Sequence, residues 1–283
     1  MSYIQALILG ALQGVTELFP VSSLGHTVIL PTLLRMRLDQ HDPAFLFFIV
    51  ATHFATALVL LAFFWRDWVN IVIGILRSLY LREIRVDDPE ARLGWLLIVS
   101  TIPAGLLGLL FEEKLKILFA TPLYAATFLM MNGLLLWGAE YLRALRQTNS
   151  LEIDSNERIA HLSWRQSVSI GFMQALALLP GFSRTGATLA GGLMMGLSHN
   201  DAARYSFLLA TPIIFAAALL KLPELAFSAN LTEIIGPILV GVCASALCAY
   251  VSIRFLSHYF HTKTLIPFAL YCLVAGGAAL LIV

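Results

Sequence analysis

Long, uninterrupted runs of apolar residues dominate this sequence. Six of them are long enough for helices that cross a bilayer, which takes about 20 residues; they are residues 44–64, 93–111, 122–141, 205–222, 234–253 and 264–283. Charged residues make up only 12% of the chain, about half the share in a typical soluble domain. We therefore predict an all-α polytopic membrane protein. No basic block points to a nucleic acid partner.

Two further apolar regions are too long for a single span, and each is interrupted. Residues 4–34 contain Pro20-Val-Ser-Ser, and residues 167–197 contain Pro180-Gly-Phe-Ser-Arg. Proline removes a backbone donor and breaks a helix. Broken backbone at membrane depth is tolerated only where it is buried in protein or lines a wet cavity. We predict that both regions are re-entrant helical hairpins, in addition to the six transmembrane helices.

The order of a hairpin followed by three spans occurs twice. It predicts a single integral membrane domain over 1–283, made of two inverted-repeat halves at 1–142 and 166–283 and a polar cytoplasmic linker at 143–165. Inverted repeats with broken helices place a site near the midplane of the bilayer. An offset of 161 residues aligns Gly10, Gln13, Ser22 and Gly25 with Gly171, Gln174, Ser183 and Gly186.

Lysine and arginine residues are distributed unequally between the two sides of this topology. Twelve fall on one side, and five fall on the other: Arg35, Arg37, Lys114, Lys116 and Lys221. Because positive residues favour the cytoplasmic side, we expect the side with twelve to be cytoplasmic and both termini to lie outside. No basic segment precedes the first apolar run, so a cleaved signal peptide is not expected.

Each break is expected to point a helix N-terminus into the bundle. Ser22, Ser23 and Ser183 are good N-cap residues, and helix N-termini favour anions, phosphate above all. Arg184 adds a guanidinium whose fork fits two phosphate oxygens. Glu17 is its expected partner, or a ligand for a metal ion that bridges phosphate oxygens. The two breaks therefore predict a site for a phosphate-bearing ligand.

Each of these residues also has a simpler interpretation. Arg184 and Glu17 can form a purely structural pair, and the serines can be caps alone. His26 shares a helix face with Ser23, three residues before it, and is either catalytic or a hydrogen-bonded interior histidine. His53 is interpreted as structural or pore-lining. The presence of a carboxylate, a hydroxyl, an imidazole and a guanidinium at two matched breaks favours a functional site.

The two breaks resemble the signature regions of the bacterial undecaprenyl-pyrophosphate phosphatase family, also called the bacitracin-resistance protein family. The first signature is similar to Gln13, Glu17 and Pro20-Val-Ser-Ser-Leu-Gly-His26, and the second to Pro180-Gly-Phe-Ser-Arg-Thr-Gly-Ala-Thr188. Their order and spacing agree over nearly the whole chain. Gln13 stands where many members carry glutamate, which leaves one carboxylate fewer for metal. Thr185 stands where serine is usual, which keeps the hydroxyl.

The resemblance implies a membrane hydrolase, an undecaprenyl-diphosphate phosphatase that recycles the lipid carrier of peptidoglycan synthesis and gives bacitracin resistance. It also implies a divalent cation, magnesium or calcium, and a site in the bacterial inner membrane that opens to the periplasmic side. The expected catalytic residues are Glu17, which orients His26 or binds the metal, Ser23 as nucleophile, His26 as base and then acid, and Arg184 on the pyrophosphate. Expected substrate contacts come from Gln13, Ser22, Ser183, Thr185 and Thr188.

A transporter or flippase for an anionic polyprenyl phosphate is the alternative function. Inverted repeats with half-helices at the midplane are also transporter architecture. Binding an anion for transport needs Arg184 but neither a nucleophile nor a base, so the Ser23–His26 pair favours the hydrolase. The prenyl tail of the substrate is expected to lie against the apolar spans among the membrane lipids. The oligomeric state is left open, with a homodimer as one alternative.

Overall fold

The computed structural model describes residues 1–34, 36, 39, 42–111, 121–145, 155–228 and 231–282. Within these ranges the chain is helical and contains no strand. The helices are α1 (Tyr3–Thr16), α2 (Ser23–Leu33), α3 (Pro43–Phe63), α4 (Trp65–Leu81), α5 (Pro89–Leu110), α6 (Pro122–Ala144), α7 (Ser155–Ala160), α8 (Trp164–Ala175), α9 (Arg184–Met194), α10 (His199–Ser228), α11 (Leu231–Tyr259) and α12 (Ile266–Ile282). Some residues used in the predictions lie outside the described residues. They are Arg35, Arg37, Lys114 and Lys116, and residues 146–154 of the predicted linker, which include Arg146.

In the described part of the chain, five helices are long and apolar enough to cross a membrane: α3, α5, α6 and most of α10 and α11. Each of the first five predicted spans lies on one of them. The sixth, 264–283, corresponds to α12, which is apolar but has only 17 residues. The prediction of an all-helical protein with several membrane spans is confirmed. No helix was expected between the first two predicted spans, where the structure forms α4.

The four helices around the two breaks are about half as long as the spanning helices. The helix α1 has 14 residues and α2 has 11, while α8 has 12 and α9 has 11. At 1.5 Å per residue none reaches across the roughly 30 Å of a hydrocarbon core. In the second break, Gly181 has a φ of +107°, and a Cβ atom there would overlap the carbonyl of Ala125. Only glycine fits this turn.

Several helix ends meet at one end of the molecule, which we call the basic end because Arg92, Arg158 and Arg204 are bound there. Arg92 donates from Nε to the carbonyl of Ala160, which joins the start of α5 to the end of α7. Another contact joins the end of α6 to the starts of α10 and α12: the Glu140 carboxylate binds His199 and accepts a hydrogen bond from the backbone of Leu265.

The helices α1 and α8, which precede the two breaks, begin at opposite ends of the molecule. The helix α8 begins at the basic end and runs parallel to α5, with Ser167 bonded to Ser100 and Gly171 packed on the Ser100 carbonyl. The helix α1 runs parallel to α11, with Tyr3 against Gly236 at the start of α11 and Gly10 farther along, packed closely on Gly241. Because α11 ends at the basic end, α1 begins at the other one.

Candidate active site

A buried asparagine on α6 holds the two breaks together. The Nδ2 atom of Asn132 donates to the carbonyl of Pro20 over 2.9 Å, and its Oδ1 accepts from the backbone N–H of Ser183 over 3.1 Å. A second link runs from the Thr185 hydroxyl to the carbonyl of Glu17 over 2.9 Å. These contacts satisfy backbone groups that the breaks leave without helical partners. They also bring the N-terminal ends of α2 and α9 close to each other.

The carboxylate of Glu17 is the centre of the polar cluster between the breaks. Its Oε1 accepts from Nη2 of Arg184 over 2.6 Å. Its Oε2 accepts from the Ser23 hydroxyl over 2.7 Å and from the Gln13 amide over 2.8 Å. The Nε2 atom of His53 lies 3.3 Å from the same oxygen. Glu17 as a whole residue is only 6% exposed, and its carboxylate is surrounded by polar partners, as a buried charge requires.

The two helices that follow the breaks begin in the same way. The Ser22 hydroxyl caps α2 by accepting from Gly25, and the Ser183 hydroxyl caps α9 by accepting from Gly186. Ser23 and Arg184 are then the first residues of the two helices, at positions that the offset of 161 residues makes equivalent. Both side chains bind Glu17. The first residues of the two helices therefore meet at one carboxylate, which accepts from a hydroxyl on one side and from a guanidinium on the other.

The backbone at the first cap is strained. Ser22 has a φ of 69° and a ψ of 103°, in a region that residues with a Cβ rarely adopt, at a cost of about 1–3 kcal/mol. This turn lets the Ser22 hydroxyl reach the Gly25 backbone while the next residue, Ser23, faces Glu17. Strain of this kind persists where surrounding contacts hold it, and here the carbonyl of Ser22 is bound by His26.

Two polar atoms of the cluster are buried without a hydrogen-bond partner among the described residues: Nη1 of Arg184 and Oε1 of Gln13. The first is a cationic donor and suits an anionic oxygen. The second is a carbonyl oxygen and suits a hydroxyl or a cation. The cluster thus offers one unused donor and one unused acceptor among the described residues. They suit a ligand that carries phosphate together with a donor or a positive charge.

The expected contact between Ser23 and His26 is not formed. The Nδ1 atom of His26 is 2.6 Å from the carbonyl of Ser22, and its Nε2 is 2.7 Å from the hydroxyl of Tyr271 on α12. The spacing does place both residues near one helix face, but the carbonyl one turn back captures the imidazole. Ser23 points to Glu17 instead, and the expected contact in which Glu17 orients His26 is also absent. The acid–base role of His26 stays a prediction.

The other hydroxyls that were predicted to bind substrate already have partners in the protein. Ser22 and Ser183 are caps, as their simpler interpretation proposed, and Thr185 binds the Glu17 carbonyl. Thr188 bonds to the carbonyl of Arg184 over 2.9 Å and to the Ser206 hydroxyl on α10. Thr188 therefore joins α9 to α10. Contacts of these four hydroxyls with substrate stay predictions.

Three residues of this region were not predicted to belong to the site: His53, Asn132 and Tyr271. His53 was interpreted as structural or pore-lining, yet it reaches the central carboxylate. Asn132 is an amide within an apolar run, and that position alone indicates that it must find a partner inside the bundle. Tyr271 offers no comparable signal, because tyrosine is common at the surface of membrane helices.

Comparison with other proteins places this chain among its relatives. It matches the family described as Bacitracin resistance protein BacA over residues 6–278. It is 50% identical to the undecaprenyl-diphosphatase of Mycolicibacterium paratuberculosis, with 99% of this chain and 97% of that protein covered. It is 47% identical to undecaprenyl-diphosphatase 2 of Chromobacterium violaceum, with 99% of each chain covered. With a match over nearly its full length, the chain belongs to the bacitracin resistance protein family.

Proposed function

We propose that this protein is an undecaprenyl-diphosphatase, a membrane hydrolase that converts undecaprenyl pyrophosphate to undecaprenyl phosphate and inorganic phosphate. This reaction recycles the lipid carrier of cell-wall synthesis and underlies bacitracin resistance. The names of relatives about half identical to this chain support it. The observation that carries the proposal is the cluster of Glu17, Ser23 and Arg184 between two helix N-termini. A transporter would need the guanidinium but not a hydroxyl bonded to a carboxylate.

Arg184 and the two helix N-termini would bind the pyrophosphate. One guanidinium nitrogen is held by Glu17, and Nη1 is buried and unbonded among the described residues. A phosphate oxygen is the natural acceptor for such a donor. The positive ends of α2 and α9 add to the attraction. Charge that develops on the phosphoryl oxygens during the reaction would be stabilised by the same groups.

Ser23 would be the nucleophile and Glu17 its proton acceptor, since the hydroxyl already donates to Oε2 over 2.7 Å. The Ser23 oxygen bonds to the terminal phosphorus while its proton passes to Glu17. The bond from that phosphorus to the bridging oxygen breaks, and undecaprenyl phosphate leaves. Water then attacks the phosphoserine, which releases phosphate and restores the Ser23 hydroxyl, and Glu17 returns its proton to water. In this assignment Glu17 has the role of base that was predicted for His26.

A magnesium or calcium ion fits the donors that are present. Both ions prefer oxygen ligands, and the cluster offers the Glu17 carboxylate and the unbonded Oε1 of Gln13. No group of three His, Cys, Asp or Glu residues able to hold a metal occurs in the described part of the chain. Substrate oxygens and water would therefore have to complete the ligand set. When bound, the ion would neutralise phosphate charge.

We also propose that the chain forms two inverted halves, 1–142 and 166–283, each with one re-entrant hairpin and three spans, joined by a cytoplasmic linker at 143–165. The entry of α1 and α8 from opposite ends supports this arrangement. So do the matched pairs α1 with α11 and α8 with α5. The basic end would face the cytoplasm of a bacterial inner membrane, and the site would open to the periplasm. A homodimer stays a prediction.

The test is phosphate release from undecaprenyl pyrophosphate by the purified full-length protein, with Ser23→Ala and Ser22→Ala as a matched pair. We expect Ser23→Ala to lower kcat by more than about 1,000-fold, because the nucleophile is lost. Ser22→Ala removes a cap worth about 0.5–2 kcal/mol, so it should lower the melting temperature and reduce turnover far less. Equal, mild losses would make Ser23 a cap.

The same assay tests the metal. EDTA should abolish phosphate release, and excess magnesium or calcium should restore it. Full activity in EDTA would remove the metal from the proposal and leave the serine step in place. No phosphate release by the folded wild-type protein under any of these conditions would instead favour the transporter.

A further inference from the structure

A histidine on a helix outside both breaks contacts the central carboxylate. His53 lies on α3, and its Nε2 is 3.3 Å from Oε2 of Glu17. Its side chain is 19% exposed, while that of Glu17 is 5% exposed, so the imidazole is the more accessible partner of the pair. The other partners of Glu17 come from α1 and from the two helices that begin at the breaks. His53 is the contribution of α3 to the cluster.

The ring orientation of His53 is set by its own helix. Its Nδ1 is 2.9 Å from the carbonyl of Ile49, one turn back on α3. A carbonyl only accepts, so Nδ1 carries a hydrogen and Nε2 faces the carboxylate. At 3.3 Å this edge of the imidazole lies within ion-pair distance of Oε2. The backbone of α3 thus fixes one side of the Glu17 carboxylate.

The polar neighbours of His53 on α3 form no hydrogen bond with the site among the described residues. Thr52 and Thr56 are completely buried, and their hydroxyls bond to carbonyls of the same helix, those of Ile49 and His53. Their polar groups are therefore satisfied without contact to the site. In His53, by contrast, Nδ1 binds a carbonyl of its own helix and Nε2 faces Glu17.

We propose that His53 is a positioning residue for the reaction: it holds Oε2 of Glu17 in the orientation that accepts the Ser23 proton. Arg184 holds Oε1, so a carboxylate bound at both oxygens cannot rotate away from the serine. Gln13 shares this task on the α1 side. The inference rests on the proposed function, and it concerns the chemical step, because His53 has no hydrogen bond or ion pair with Arg184 or with either cap among the described residues.

The experiment compares His53→Gln, His53→Asn and His53→Leu in the full-length protein, with phosphate release and thermal melting measured on the same samples. Glutamine carries an N–H group at about the distance of Nε2 and should keep kcat within about threefold of wild type. Leucine fills the volume without a donor, and asparagine carries a donor that is too short to reach Glu17. Both should lower kcat by about 10- to 100-fold, the range for loss of a hydrogen bond to a charged group, with KM changed by less than about threefold.

His258→Leu is the matched control, because His258 is an exposed histidine at the far end of α11, and it should leave kcat unchanged. Wild-type kcat in His53→Leu would overturn the inference while leaving the proposed function intact. An equal loss in folded His53→Gln and His53→Leu would overturn it as well, because donation alone then does not suffice. A rise in KM at constant kcat would assign His53 to substrate binding instead. If His53→Leu does not fold, the comparison of glutamine with asparagine decides in the same way.

Discussion

Arg184 is the only charged residue of the second break, and its ion pair with Glu17 explains how it is kept inside the bundle. Glu17 binds one guanidinium nitrogen over 2.6 Å, while Nη1 stays buried and unbonded among the described residues. A purely structural arginine would be expected to use its donors on carbonyls nearby. The pair instead neutralises the buried charge and leaves a donor free for a ligand.

Replacing Arg184 tests whether its geometry matters as well as its charge. Lysine keeps the charge but loses paired, planar donation. A hydrogen bond to a charged group contributes about 1.5–3 kcal/mol, and a tenfold change in rate corresponds to about 1.4 kcal/mol. Arg184→Lys should therefore lower kcat/KM by about one to two orders of magnitude. Arg184→Ala should lower it further, because nothing then offsets the phosphate charge.

Thermal melting on the same samples separates this role from a structural one. Removing one partner of a buried ion pair is itself destabilising, so Arg184→Ala should also melt earlier. Near-normal turnover in the folded fraction of Arg184→Ala would mean that the arginine serves the fold and not the phosphate.

The N-terminus of α5 is stabilised by contacts of Asp88, which lies outside the membrane spans, between α4 and α5. Asp88 caps α5 by accepting from the backbone of Ala91 over 3.0 Å, and its other oxygen accepts from Nε of Arg77 on α4 over 2.6 Å. Burial raises the pKa of Asp88, but the hydrogen bonds from Arg77 and Ala91 outweigh it and hold the pKa below the ordinary value of 3.8. The carboxylate is thus more acidic in the folded protein than in the unfolded chain.

This pKa shift predicts a pH-dependent stability. A lowered pKa in the folded state contributes stability that is complete above the ordinary value and is lost as the pH falls through 3.8 toward the folded value. Asparagine still caps a helix but does not ionise. In detergent, wild type should melt at a higher temperature than Asp88→Asn near neutral pH, and this difference should shrink below about pH 4.

Asp88→Ala removes the cap as well and should cost about 0.5–2 kcal/mol at neutral pH. The Arg77 side chain is half exposed, so its ion pair adds little beyond the cap. A difference between wild type and Asp88→Asn that stays constant from neutral pH to pH 3 would show that ionisation of Asp88 does not contribute.

At the level of the whole molecule, the cluster depends on both halves of the chain. Gln13, Glu17, Ser23 and His53 come from the first half, and Arg184 comes from the second. The first residues of α2 and α9 occupy equivalent positions but carry different side chains, a serine and an arginine. Two similar frameworks that meet at their broken helices therefore produce one asymmetric cluster.

The proposed inverted arrangement makes a prediction about membrane topology. Reporter fusions at Asp87 and at Ser155 should both report the cytoplasm, because both residues belong to the basic end of the molecule. A fusion at Val283 should report the outer side, since each predicted half crosses the membrane an odd number of times. A periplasmic signal at Asp87 would reverse the orientation, and opposite signals at Asp87 and Ser155 would contradict the topology itself.

Much of this protein could be predicted from local features of the chain. Hydropathy alone predicts spanning helices, because in lipid the backbone must satisfy its own hydrogen bonds. Pro20 and the Pro180-Gly pair indicate the breaks, and Ser22 and Ser183 prove to be the caps, since capping involves residues only three positions apart. The polar residues within apolar runs indicated a site and the family.

The contacts of the site depend on which helices become neighbours, and spacing along the chain does not contain that information. Residues 17 and 53 meet because α1 packs on α3, and Asn132 reaches both breaks because α6 packs on α2 and α9. Spacing on α2 placed His26 beside Ser23, whereas packing turned Ser23 to Glu17 and His26 to Tyr271. The choice of partner depends on the distance and direction of groups on other helices, because a buried donor binds the nearest acceptor that burial leaves without water. Local sequence therefore determines where the helices break, and packing determines which side chain each break presents to Glu17.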